Sequence, residues 1–453
     1  MGLKNNIIRI FSANFLTMIS GIIIGFIVPA ILSIESYSYV KTYMFYISYI
    51  GFLHFGFIDG IYIKYGGKEV DEIDKEEFKG EHKVFTIIQL VVTFIFIFIG
   101  ILNSDIIMTL MGLSIVPMNT IAFHKLFYQA TGQFKQYAKA SYIYTSIYLG
   151  LNILLAILFK SQNYIYYCIA SLFSNIIVYI ILEIKFYKNN KGIKAKYNFK
   201  IWNNIRVGFF ILLGNLSVLL FYAIDRWFIK IFLSVNDFAY YSFAVSMLNI
   251  VNLLVNAIAI TFYNYLSKGE NKEKIKKMKN YFLILGGFAS LGYFALSAVV
   301  SIFLEKYTPA LNIIAISFAA YPYMIVINAL YVNLYKARKN EKKYLKVVAS
   351  MVIISALYNT IAILIWKSSE AIATATTLSF ITWYIYSMRD FNYLKSNLKE
   401  SIYLAIVLVS FLIFSNYFNW LIGGIGYLVI MIIMSIIFYI KEIKDIINTV
   451  LKR

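Results

Sequence analysis

Two short stretches, LSIESYSY (32–39) and LSVNDFAY (233–240), decide how this chain is read. Leu32 pairs with Leu233, Ser33 with Ser234 and Tyr39 with Tyr240, each 201 residues apart. Asn14 and Asn215 keep that separation upstream. Downstream, YQATGQFKQYAK (128–139) lies over YKARKNEKKYLK (335–346) at a separation of 207, pairing Tyr128 with Tyr335, Lys135 with Lys342 and Tyr137 with Tyr344. The matches keep chain order, so the chain carries an internal repeat of about 200 residues.

The repeat is filled with apolar sequence. Of 453 residues, 60% are hydrophobic and 14% charged, and the mean hydropathy is +0.72. Soluble domains carry about one-quarter charged residues, so the surroundings are lipid. A helix crossing ~30 Å of hydrocarbon needs ~20 mostly apolar residues. Fourteen stretches qualify: 10–32, 40–62, 84–102, 106–127, 140–159, 164–184, 206–229, 238–262, 281–303, 310–334, 347–366, 371–388, 401–418 and 421–440. The runs are continuous, which excludes the alternating pattern of a membrane barrel. With only four prolines, the helices are expected to run unobstructed. The first run follows Lys4 and Arg9, shows no small-residue cleavage site and reaches about Leu32, so it reads as a retained helix.

The expected fold is an all-α polytopic membrane protein with about 14 transmembrane helices. Six spans per repeat is an even number, so both halves enter the bilayer from the same side as parallel repeats. The expected domains are 1–204, a six-helix lobe with a basic linker; 205–391, a second six-helix lobe; and 392–453, an additional helix pair, helices 13 and 14, with a tail.

The net charge of +20 follows the same map. When loops alternate between sides, only Lys41, Lys160, Arg226, Lys230, Lys306 and Lys367 of the 42 basic residues fall on one side. The positive-inside rule then puts both termini in the cytoplasm, and the charge calls for no nucleic acid. One cysteine, Cys168, allows no disulfide within the chain and no thiolate metal site. The motifs HExxH, CxxC, GxxxxGK[ST] and GxSxG are absent, so no catalytic residue, metal or cofactor is expected. The loops are short, which leaves function to the helices. Two parallel lobes suggest a transporter rocking about a central cavity.

Three stretches carry a family resemblance: GFLHFGFIDGIYIKYGGK (51–68), LFYQATGQFKQYAKAS (126–141) and GNLSVLLFYAIDRWFIKIFLSVNDFAYYSFA (214–244). With them, the chain resembles the polysaccharide transport family of the MATE-like MOP exporter superfamily, the bacterial flippases for lipid-linked O-antigen and capsule units. The resemblance implies a MATE-like fold in the cell inner membrane. It implies a substrate, an undecaprenyl-diphosphate-linked oligosaccharide for O-antigen lipopolysaccharide or a related surface polysaccharide, moved from the cytoplasmic to the periplasmic leaflet. It also implies drive by an ion gradient, and polysaccharide polymerase and chain-length proteins as candidate partners beside the lipid bilayer. Two alternatives stand beside it. A MATE-like multidrug or ion antiporter would favour acids in its cavity, and a polysaccharide polymerase would need a large outside loop.

A diphosphate wants cations and sugars want hydrogen-bonding groups, so the polar residues within spans become site candidates. Arg226 and Lys230, at i and i+4, share a helix face. They either contact the anionic head or snorkel to the outer interface. Asn249, Asn252 and Asn256 line one face of a helix, extended by Ser242 and Ser246, and either bind sugars or glue helices together. The same two readings hold for Asn14 and Asn215. Lys125, beside His124, is placed at the inner interface to meet headgroups or the incoming diphosphate. Tyr39, Tyr43 and Tyr46 either stack on sugars or belong to an interface belt. His54, Asp59 and Asp225 are the ion-coupling candidates, with structural hydrogen bonds or ion pairs as the competing reading.

Overall fold

Serines 33 and 234 open the second span of each repeat in the same way. Helix α1 (Leu3–Ile31) ends just before α2 (Ile34–Ile47), and Ser33 Oγ accepts the Ser36 N–H at 3.1 Å. In the second repeat α9 (Ile224–Phe232) ends just before α10 (Val235–Leu266). There Ser234 Oγ accepts the Asp237 N–H at 3.1 Å, and Asp237 Oδ2 accepts the Ser234 N–H at 3.1 Å. Both caps satisfy amides that a helix start leaves open. Asp74, Asp105, Asn163, Asn271, Ser368 and Asn397 cap later helices by the same chemistry.

The structure is a computed structural model that describes residues 3–197, 202–266, 269 and 271–451. The chain is 86% helical, with no strand among the described residues. It divides into two units, Met1–Leu216 and Ser217–Arg453. The first holds α1, α2, α3 (Phe57–Tyr65), α4 (Lys75–Leu102), α5 (Ile106–Ala130), α6 (Phe134–Ile153), α7 (Tyr164–Asn189) and most of α8 (Trp202–Phe221). Helix α5 lies at its centre, packed on α2, α3, α4, α6 and α7. Its core includes Phe57, Phe78, Phe85, Phe123, Phe127 and Phe186, with the Phe78 and Phe127 rings stacked at 4.2 Å.

The second unit continues with α9 and α10. Then follow α11 (Lys272–Ala289), α12 (Gly292–Phe303), α13 (Ala310–Phe318), α14 (Tyr321–Ile325), a π-helical turn (Val326–Tyr331) and α15 (Val332–Ala337). Helices α16 (Glu341–Ile365), α17 (Ser369–Ser387), α18 (Leu398–Tyr417) and α19 (Trp420–Leu451) complete it. The last two pack on each other; α19 also packs on α11 and α12, and α18 on α13.

Ten helices of the described residues are long and apolar enough to cross a membrane, or up to twelve if two bent pairs each count as one span. Helices α10 and α17 have 32 and 19 residues. The hydropathy of α17 is diluted by Thr374, Thr376, Thr377 and Ser379.

The helices are not all unobstructed. Residues 34–52 and 57–65 meet at 52°, and 310–318 and 321–337 at 49°. Helix α8 stops at Phe221 and α9 starts at Ile224. No proline lies at 53–56 or 222–223, so the proline count misses both breaks. At the first break Phe55 (φ 53°) and Gly56 (φ 84°) turn left-handed, a conformation that glycine adopts at no steric cost.

Gly56 is held there by close contact with α8. A Cβ on Gly208 would lie 1.9 Å from Gly56 O, whereas a Cβ on Gly214, further along the same helix, would meet nothing within 4 Å. Gly208→Ala is therefore expected to cost about 1–3 kcal/mol or more by overpacking, and Gly214→Ala to be neutral or slightly stabilising. Thermal unfolding in detergent checks the pair; equal behaviour of the two variants would refute the seam.

The linker is not a free loop as far as it is described. Lys79 Nζ donates to Asn190 O at 2.9 Å and Ile193 O at 2.8 Å, and Lys196 N–H donates to Glu76 O at 3.0 Å. Nearby, fully buried Glu81 is satisfied by Lys64 Nζ (2.6 Å), Tyr65 OH (2.7 Å) and Asn204 Nδ2 (2.8 Å). A buried carboxylate is tolerated only when paired in this manner.

Candidate functional site

The break between α8 and α9 opens a polar cavity in the second unit. Helix α9 is strongly amphipathic and carries Asp225 and Arg226 in its first turn. Asp225 is 5% exposed; it accepts the Arg226 N–H and the Tyr241 OH, both at 2.7 Å. Arg226 Nη2 donates to Tyr222 O at 3.4 Å. The break thus leaves a backbone carbonyl facing a guanidinium, and the carboxylate is held by two donors.

Asp225, Arg226, Asn249, Asn252, Ser317 and Thr377 line this cavity of about 170 Å³. Tyr222, Asn249 and Asn252 also line a second cavity of about 710 Å³, which continues to Asn328, Asn333 and Lys336. Tyr222 OH donates to Asn328 Oδ1 at 2.9 Å, and Asn333 Nδ2 to Ala259 O at 2.7 Å. Asn252 Oδ1 is buried with no hydrogen-bond partner among the described residues. The larger cavity falls within the ~300–1,000 Å³ of ordinary small-molecule sites. Lined by amides and hydroxyls, with Arg226 and Lys336 among its cations, the path suits a polar, anionic group.

The first unit has a cavity of about 430 Å³ in the corresponding place of the repeat. Lys125, Gln129, Tyr137, Ser141, Thr145 and Asn175 line it. Gln129 and Tyr137 are the repeat partners of Lys336 and Tyr344, which line the larger cavity of the second unit. Lys125 Nζ sits over the Tyr137 ring, 4.6 Å from its centroid.

The other candidates fall as follows. Lys230 does not line these cavities; its Nζ lies 5.1 Å from the Phe238 ring centroid. The backbone of Asn256 lies within α10, and its side chain is outside the described residues. Asn14 and Asn215 are exposed on α1 and α8. Ser242 is buried, and Ser246 Oγ donates to Ser242 O at 2.7 Å. His54 and Asp59 meet at the first helix break, with Nε2 3.8 Å from Asp59 Oδ2; Gly56 N–H donates to His54 Nδ1 at 3.1 Å. That donation makes Nε2 the protonated nitrogen of a neutral ring.

Two expectations are corrected. Tyr43 is fully buried and hydrogen-bonded to Ser114 Oγ at 2.9 Å, so it has no face for a sugar. His124 is 1% exposed inside the first unit and meets Glu183 at 2.8 Å, so its ring is engaged within the protein. Sequence reading missed Tyr222, Asn328 and Glu183. It missed Lys336 and its repeat partner Gln129 as well; finding any of these needed knowledge of which helices are neighbours.

No protein-family model matches the sequence, and no curated protein matches it. Solved structures do. One, described as the lipid II flippase MurJ in an inward closed conformation, is 16% identical with a TM-score of 0.72, over 96% of this chain and 100% of that one. Another, an inward-facing multidrug resistance MATE family transporter of the MOP superfamily, is 12% identical with a TM-score of 0.54, over 84% of this chain and 95% of that one. The chain therefore has the fold of the MOP-superfamily transporters.

Proposed function

We propose that the protein is a flippase. It carries an undecaprenyl-diphosphate-linked oligosaccharide, an O-antigen or related surface-polysaccharide unit, from the cytoplasmic to the periplasmic leaflet by alternating access. The observation that carries this reading is the end-to-end likeness to a lipid II flippase fold, with a TM-score of 0.72 against 0.54 for the multidrug transporter. The polar cavities agree with it. The amides of Asn249, Asn252, Asn328 and Asn333 and the hydroxyls of Tyr222 and Ser317 offer sugar contacts, and Arg226, Lys336 and Lys125 offer charge for a diphosphate. The lipid tail stays in the bilayer.

Asp225 and the His54–Asp59 pair are our candidates for ion coupling; each lies beside a helix break, which supports that role. The basic-residue bias supports cytoplasmic termini in a bacterial inner membrane. Polysaccharide polymerase and chain-length proteins are the partners that the family resemblance implies.

A second reading, that lipid II itself is the cargo, is favoured by the name of the same neighbour. One experiment separates the two. Depletion of the protein in its native host is followed by leaflet-resolved measurement of lipid-linked saccharides. Accumulation of surface-glycan units on the inner leaflet is expected. Accumulation of lipid II would replace the substrate, and no accumulation of either would sink the flippase.

A further inference from the structure

Outside the cavities proposed for transport, the first unit brings together two histidines and a glutamate from three helices. His82 on α4, His124 on α5 and Glu183 on α7 converge at the end where the basic loops leave. His82 Nε2 lies 2.9 Å and His124 Nε2 2.8 Å from the same oxygen, Glu183 Oε1. One ligand atom from each residue falls within 4.8 Å of the other two. The two rings are 0% and 1% exposed, and His82 Nδ1 is buried without a hydrogen-bond partner. His124 also lines a cavity of about 290 Å³ with Lys75, Gln133, Lys185 and Asn189.

We propose that His82, His124 and Glu183 form a site for a divalent transition-metal ion of the Zn²⁺ class, tying α4, α5 and α7 together. Two imidazoles and one carboxylate are a donor set that zinc takes with a fourth position left open. Of the three ligands, His124 lines the 290 Å³ cavity, which offers an access path and room for a water or anion beside the site. Lys75 and Lys185 oppose a bare dication but favour an anionic fourth ligand, such as hydroxide or a phosphate oxygen. Zn–N distances of ~2.0–2.1 Å place the two nitrogens ~3.3 Å apart. The three ligand atoms lie within 4.8 Å of one another before any ion is bound.

The test uses the full-length protein in detergent, stripped with a chelator and titrated with Co²⁺ and then Zn²⁺. Expected are one equivalent per chain, a visible cobalt band of a four- or five-coordinate site, displacement by Zn²⁺, and no competition from Mg²⁺ or Ca²⁺, which prefer all-oxygen sites. His124→Gln and Glu183→Gln are each expected to weaken Zn²⁺ binding at least about tenfold. The zinc-edge absorption spectrum of the unsubstituted protein is expected to show two imidazole ligands, which decides the matter even if a variant does not fold. Absence of one-to-one binding, unchanged binding in both variants, or a spectrum without imidazole would each overturn the site and leave a hydrogen-bonded triad.

Discussion

Arg226→Ala is expected to lower translocation roughly 10- to 150-fold while leaving the amount of folded protein in the membrane unchanged. The size follows from losing a charge-assisted hydrogen bond, about 1.5–3 kcal/mol, at one decade per 1.4 kcal/mol. Arg226 lines the 170 Å³ cavity beside the helix break, whereas Lys230, one turn on, lies over the Phe238 ring. Lys230→Ala is therefore the matched control, with little loss expected. Leaflet-resolved transport and the quantity of protein extracted from membranes are measured side by side. If Arg226→Ala removes folded protein instead, the residue serves the structure around Asp225. If the Lys230 variant is equally impaired, the cavity is not the path.

Glu400→Ala is expected to destabilise the second unit by about 3–5 kcal/mol, because it strands a buried ammonium. Lys279 on α11 has a 2% exposed side chain, and its Nζ reaches Glu400 Oε1 at 2.7 Å and Leu394 O at 2.7 Å. Glu400 also accepts from Tyr384 OH and Ser396 Oγ. Removing the acid leaves Lys279 and Tyr384 without their charged partner. Replacing both members, as Lys279→Met with Glu400→Leu, is expected to recover much of the loss, since the desolvation cost disappears with the charges. Thermal unfolding of the single and double variants measures this. A double variant no more stable than Glu400→Ala would show that the network's geometry, not its charge balance, holds α18 against α11.

What was legible in the sequence follows from the solvent. Lipid demands long apolar runs with satisfied backbones, so the spans could be read. Ser33 and Ser234 marked the two halves because a cap acts within three residues. Asn249 and Asn252 shared a face because helical spacing is fixed. The break at Gly56 was hidden, since its conformation is supported by Gly208, which lies far along the chain. His82, His124 and Glu183 were hidden for a related reason. Periodicity tells which residues share a helix face but not which faces meet.

The π-helical turn at Val326–Tyr331 carries a consequence for how the second unit aims its polar groups. A π turn holds one residue more than an α turn, so everything after it is rotated by about 100° relative to an uninterrupted helix. Asn333 and Lys336 follow that extra residue and reach the cavity wall in the resulting phase. A single extra residue thus sets which side chains of the following turns meet the cavity, with no change in the side chains themselves.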